Sequence, residues 1–401
     1  MAADARDGIA DAVGPAAPEQ SARFVLLACA TTHAVTDGLL TAFYPLLPLM
    51  AADLGLSYVA VGSLRTALSG ASSFFQLPAG YLAGWFPETT LLGVGMLWMA
   101  LGFAALAVAA GFWQLLVITI GAGVGGSAQH PLATAIVSRA YETHGRGTAI
   151  STLNFSGDVG KFALPALAGF VALAYGWRGA TVALGALGVL VTVGYVLALR
   201  GRGGQRRARE ASAPKARGWG IEKPASFAFL SVIGIIDNGT RNGALTFLPF
   251  LLVDKGLDEA GVSLLLTLVF ACGAAGKFGC GLLSDRFGTV GVVVITEAIT
   301  ALAILAVIPV DPLLLIPLLI AFGFVLNGTS SALYTAVADM VHVDSRARGY
   351  GLFYTLSLGG GTLAPIAYGA LADVVGVPAA LAAVGAVNLL TIPLAFAMAR
   401  R

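Results

Sequence analysis

Apolar runs of about twenty residues or more recur from residue 23 to residue 399 of this 401-residue chain. They are interrupted only by short stretches rich in charge, proline or glycine. A helix needs about 20 apolar residues to cross the hydrocarbon core of a bilayer. Within that core every backbone N–H and C=O must be paired inside the segment or by closing a barrel. Barrel strands are about ten residues long and alternate in polarity, and these runs do neither. Charged residues make up 11% of the chain, against roughly 25% in a soluble domain, too few to clothe a water-facing surface. The expected fold is therefore an all-α membrane protein. The run edges predict a first set of spans at 23–51, 57–84, 89–110, 112–138, 148–173 and 178–199. A second set is predicted at 224–252, 261–283, 290–309, 313–338, 349–373 and 378–399.

The 23 Lys and Arg residues orient these spans. With the N-terminus placed in the cytoplasm, 17 fall in cytoplasmic segments, Arg178 and Lys255 lie on the opposite side, and Arg65, Lys161, Arg241 and Lys277 lie inside spans. That asymmetry predicts both termini on the cytoplasmic side of an inner membrane. Residues 1–22 are polar, without a basic start followed by an apolar run, and read as a cytoplasmic tail rather than a cleaved signal. The stretch 200–223 carries eight basic residues and splits the chain into an N-terminal six-helix bundle (23–199) and a C-terminal one (224–401). Beside an anionic inner leaflet each basic residue contributes roughly 1 kcal/mol, which suits a topology anchor.

The two bundles repeat one another. A shift of 201 residues brings Gly38, Pro48, Asp53, Gly55, Thr66 and Gly80 onto Gly239, Pro249, Asp254, Gly256, Thr267 and Gly281. A shift of 200 brings Pro165, Gly169 and Gly176 onto Pro365, Gly369 and Gly376. Six spans per half start both repeats on the same side, so they are expected to be related by an axis along the membrane normal.

The eighth span ends in Gly281-Leu-Leu-Ser-Asp285-Arg286-Phe287-Gly288. This resembles the G-x-x-x-D-R-x-G signature of the major facilitator superfamily, and the resemblance covers all twelve spans. It implies two pseudo-symmetric six-helix bundles and alternating access, with Gly281, Asp285, Arg286 and Gly288 in a gate. The equivalent stretch Gly80-Tyr-Leu-Ala-Gly84-Trp85-Phe86-Pro87-Glu88 keeps the glycine but lacks the Asp and Arg, with Glu88 as a substitute. Two further stretches are His33-Ala-Val-Thr-Asp37-Gly38 in the first span and Gly121 to Gly126, Ser127, Gln129, His130 and Pro131 in the fourth. They resemble the fosmidomycin-resistance branch, which implies proton-driven efflux. Asp158 and Lys161 in the fifth span depart from that branch.

Ionisable side chains within hydrocarbon need a partner or a wet cavity and mark functional sites by default. Pairs at i, i+3 and i, i+4 share a helix face: His33 with Asp37, Asp158 with Lys161, and Asp237 with Arg241. Asp37, His33, Asp158 and Asp237 are candidates for proton coupling. Lys161, Arg241, His130, Gln129, Asn154, Asn238, Asn242, Arg65 and Tyr44 are candidates for substrate binding. Lys277 and Glu297 are expected to pair beside the gate. An anionic solute suits these cations.

Three cysteines in apolar runs and four histidines offer no metal-ligand spacing and no nucleophile–base set, so neither cofactor nor metal is expected, and no enzyme. A net charge of +2 points to no nucleic acid. The expected partners are the bilayer, protons and a small-molecule substrate, and the expected assembly is a monomer. Proton-coupled efflux of a small organic anion is the first expectation, and proton-coupled uptake of an organic acid the second.

Overall fold

A computed structural model describes residues 19–142, 145–199, 220–342 and 346–400. Its helices are α1 (Glu19–Leu54), α2 (Tyr58–Phe74), α3 (Gln76–Leu82), α4 (Glu88–Ala105), α5 (Phe112–Gly126), α6 (Gln129–Ala140) and α7 (Arg146–Leu199), then α8 (Pro224–Asp254), α9 (Glu259–Phe287), α10 (Thr289–Val307), α11 (Leu315–Ala338), α12 (Arg346–Thr362), α13 (Ala364–Val375), α14 (Val377–Leu389) and α15 (Thr391–Ala399). Eight helical stretches are long and apolar enough to cross a bilayer by length and composition. One of them, α7, holds two spans. Three more spans pass through α2–α3, α5–α6 and α8, which are broken by a proline or carry the polar groups described below. The twelve expected spans are thus accounted for.

Proline explains where spans split. The breaks at Phe75, at Ser127–Ala128, at Leu363 and at Leu390 each lie just ahead of Pro78, Pro131, Pro365 and Pro393. A proline has no N–H to donate, crowds the carbonyl four residues back and disfavours helix in the residue before it. The loop expected between the fifth and sixth spans is instead a kink inside α7 at Gly176, with φ 66° and ψ 178°. Its repeat mate Gly376 has φ 83° and separates α13 from α14. Only glycine takes such angles without strain.

Of the expected tail, 19–22 already belong to α1, and 1–18 lie outside the described residues. So does 200–219 of the basic linker. Its end is tied down: Glu222 N donates to Met340 O (2.9 Å) and His342 N to Gly220 O (2.9 Å).

The internal repeat persists as repeated contacts. Thr66 Oγ1 donates to Thr362 O at 2.8 Å, and its mate Thr267 Oγ1 donates to Phe162 O at 3.0 Å. Gly369 packs on the Tyr58 backbone just as Gly169 packs on Glu259 and Ser263. These two seams, α2 with α13 and α7 with α9, join the halves. They are tight at the end of the bundle far from the chain termini. There Asp373 of α13 accepts from Tyr58 N (2.6 Å) and Val59 N (3.0 Å), capping α2 from the opposite half. Toward the terminal end the α2–α13 seam opens, since α3 makes its main contacts with α2 and α6 of its own half. All of α3 stays unburied, and Phe74, Leu77, Tyr81, Phe155 and Phe278 are exposed.

The cap yields a prediction. A lost helix cap costs about 1 kcal/mol, so Asp373→Ala should raise the population opened at the far end about five-fold. Spin labels at positions 57 and 374 would report it as a longer-distance component. An unchanged distance distribution would assign the far-end closure to packing alone.

Candidate functional site

Close approach of α7 to α1 builds the first group of charges. Gly160 lies so near Ala34 that a Cβ there would stand 1.7 Å from its carbonyl oxygen, and at Gly157 a Cβ would stand 2.8 Å from Asp37 Oδ2. The missing side chains let Lys161 reach Asp37, with Nζ to Oδ2 at 3.0 Å. His33 Nε2 lies 3.5 Å from Oδ2 of the same carboxylate and His130 Nε2 lies 3.5 Å from its Oδ1. The two imidazoles meet edge to face at 4.9 Å.

Lys161 also donates to Asp158 Oδ1 at 3.1 Å, and the same oxygen receives Lys277 Nζ at 2.7 Å. Lys161 belongs to the N-terminal half and Lys277 to the C-terminal half, so one carboxylate oxygen ties the two halves together. Asp37 is sealed, with 3% of its side chain exposed, whereas Lys161 and Lys277 are 32% and 36% exposed. The two lysine side chains are thus part-exposed, and Asp37 sits behind Lys161. Within this group two carboxylates, Asp37 and Asp158, stand against two ammonium groups, Lys161 and Lys277.

Lys277 thereby departs from the expected pairing with Glu297. It reaches across the seam to α7, whereas Glu297 on α10 turns inward to Asp237 and Arg241 of α8. Asp237 Oδ2 accepts from Arg241 Nη2 at 3.0 Å. Asn242 Nδ2 donates to Asn238 Oδ1 at 2.8 Å, so these two amides bond one another. Sequence spacing reveals pairs within one helix. It could not reveal Lys277 with Asp158 or Glu297 with Asp237, because each depends on how two helices are rotated about their axes.

Other expected site residues fall elsewhere. Gln129 is buried between α6 and α1, donating to Thr32 Oγ1 at 3.3 Å and accepting from Thr36 Oγ1 at 3.4 Å. It braces the helices and does not face the opening. Tyr44 is buried beneath Arg65, whose guanidinium carbon lies 4.3 Å from the ring centroid, so it too is packing. Arg65 is buried with Nε and Nη1 lacking a hydrogen-bond partner. Asn154 is exposed one turn from Asp158 on the same face of α7.

In the expected gate, the side chain of Asp285 and the environment of Gly281 lie outside what is described. Arg286 is exposed, 5.6 Å from the Phe287 ring, and Gly288 turns the chain into α10 with φ 75°. Glu88 forms an ion pair with Arg139 that links α4 to α6. A second unforeseen pair, Asp53 with Arg178, closes the far end of the N-terminal half. There Arg178 also donates to Ala107 O and Ala109 O.

His33, Asp37 and His130 bring three metal-capable atoms within 4.8 Å of one another. Lys161 already holds Asp37 Oδ2, and its fixed positive charge repels a divalent cation at that spot. The set fits a neutralised carboxylate better than a metal centre.

Comparison with known proteins agrees with this architecture. The chain is 27% identical over 254 residues to the probable L-galactonate transporter of Escherichia coli (strain K12). That match covers 58% of this chain and 55% of that protein, so it spans about half the length of that relative. It is 28% identical over 153 residues to the fosmidomycin resistance protein of Escherichia coli (strain K12), covering 38% of this chain and 37% of that protein. A crystal structure of a bacterial homolog to human lysosomal transporter, Spinster, in an inward-facing and occupied conformation superposes with a TM-score of 0.83 at 18% identity. It covers 96% of this chain and 98% of that one. The Major Facilitator Superfamily model matches residues 29–236 and again 229–401. With two six-span halves docked along repeated seams, this multi-pass membrane protein belongs to the Major Facilitator Superfamily of transporters.

Proposed function

We propose that the chain is a proton-coupled transporter of a small organic anion, working by alternating access in a bacterial-type inner membrane with both termini in the cytoplasm. The observation that carries this reading is the single oxygen of Asp158 shared by Lys161 and Lys277. Two ammonium groups from opposite halves, both on part-exposed side chains, hold a carboxylate that a substrate carboxylate can replace. On this reading the parted terminal end faces the cytoplasm, as the distribution of Lys and Arg favours.

Charge balance supplies the coupling. The group is neutral before the anion arrives. An entering anion that takes over the two lysines leaves Asp158 without its partners, and an unpaired buried carboxylate is costly. A proton on Asp158 restores neutrality. Anion and proton then favour each other's binding on the same side, which supports cotransport over exchange. Arg65, a buried guanidinium with unpartnered donors, adds favourable charge for an anion. The probable L-galactonate transporter among the relatives accords with a sugar-acid class of solute. The fosmidomycin resistance relative supports a second reading, efflux in exchange for protons, in which Asp37 with His33 and His130 carries the proton.

Proteoliposomes tested with a panel of sugar acids that includes L-galactonate, and with fosmidomycin, separate the readings. Cotransport expects an acid exterior to drive accumulation of an organic anion, and expects Asp158→Asn to keep counterflow while losing that accumulation. Uptake driven by the reverse gradient would select exchange. Anion movement that never moves protons would remove both.

A further inference from the structure

Behind the anion site the C-terminal half holds a charge group that does not balance. Asp237 and Glu297 face one cation, Arg241. Glu297 is 1% exposed and neither carboxylate oxygen has a hydrogen-bond partner. Two further orphaned polar atoms lie with it. Asn388 of α14 spends its amide on the Glu297 backbone carbonyl (2.9 Å), and its buried Oδ1 is left without a donor. Thr300, one turn along α10 on the same face as Glu297, has a buried hydroxyl with no partner. Both carboxylate oxygens of Glu297 are thus buried among polar groups with no donor directed at them.

We propose that Glu297 carries a proton, shared with Asp237, so that the C-terminal half contains a proton-binding site of its own. One hydrogen bridging the two carboxyls gives one oxygen of Glu297 and one of Asp237 a partner and brings the group to net zero against Arg241. Leaving it at net −1 in a dry interior costs several kcal/mol. The groups that act on the pair are Asp237 and Arg241 from α8, Tyr334 from α11 and the neutral Asn388 from α14. Lys277 on α9 acts on Arg241. Arg241 sets the occupancy. When its guanidinium is drawn away, both carboxyls need protons. The inference stands on this second group alone and does not require the anion site to be correct.

Infrared spectroscopy of the full chain reconstituted in lipid tests it without a substrate. The protein should show a buried protonated-carboxyl stretching band at neutral pH. The nearly isosteric Glu297→Gln should abolish it, and so should Asp237→Asn, which leaves Glu297 ionised against Arg241. Arg241→Gln should roughly double the band, since two carboxyls then hold a proton each. Asp158→Asn should leave it in place, which separates this site from the one between the halves. Absence of the band from the unmodified protein, its survival in Glu297→Gln, or an unchanged intensity in Arg241→Gln would overturn the proposal.

Discussion

Lys161→Ala is expected to abolish coupled transport and to weaken the fold together. Its ammonium touches both Asp37 at 3.0 Å and Asp158 at 3.1 Å. Removal leaves Asp37 sealed with His33 and His130 as its remaining neighbours, and takes from Asp158 one of its two lysines. Breaking a buried pair by deleting one partner costs about 3–5 kcal/mol, and partial exposure of Lys161 places the effect toward the lower end. The two consequences separate in a double variant. Adding Asp37→Asn removes the stranded charge, so thermal stability in detergent should largely recover while transport stays absent. Full stability in Lys161→Ala would mean that water already solvates Asp37. Retained anion-driven proton movement would take Lys161 out of the mechanism.

The second large effect belongs to a residue with no side chain. Gly160→Ala would place a Cβ 1.7 Å from Ala34 O and 2.5 Å from its carbonyl carbon. Backbone cannot yield as a side-chain tip does, so α7 must back away from α1 along the most intimate packing in the N-terminal half. Overpacking costs about 1–3 kcal/mol and more where backbone is hit, and here it also pulls Lys161 from Asp37. Loss of folded protein on expression, or a thermal midpoint lowered by several degrees, is the expected readout. Gly157→Ala makes a useful contrast. Its Cβ would meet Asp37 Oδ2 at 2.8 Å and His33 Nε2 at 2.9 Å, both ends of side chains that can shift. That variant should fold and lose transport. Equal stability of the Gly160→Ala protein would show that the helices do not need this contact.

Much of this fold was legible before any coordinates, because bilayer physics acts locally along the chain. Apolar runs must be long and self-satisfied, and a proline disturbs its own helix. Span edges such as 289–307 against the expected 290–309 follow from those constraints. So do the pairs Asp158–Lys161 and Asp237–Arg241, which spacings of three and four residues put on one helix face. The repeat was legible too, since Thr66 and Thr267 keep both their register and their bonds.

Partners on different helices were not legible. Lipid is as apolar as the helices it surrounds, so hydropathy says little about which way a span turns its polar stripe. Small residues at 157 and 160 permit close helix approach, but only the distances to Ala34 and Asp37 tell which neighbour they admit. Lys277 found Asp158, Glu297 found Asp237, and His130 joined Asp37 only once helix rotation and the docking of the halves were set. Membrane insertion and span order are thus dictated by composition and pattern along the chain. The charge constellation is dictated by interhelical geometry, because Coulombic and hydrogen-bond energies depend on separations of a few ångströms that no linear pattern encodes.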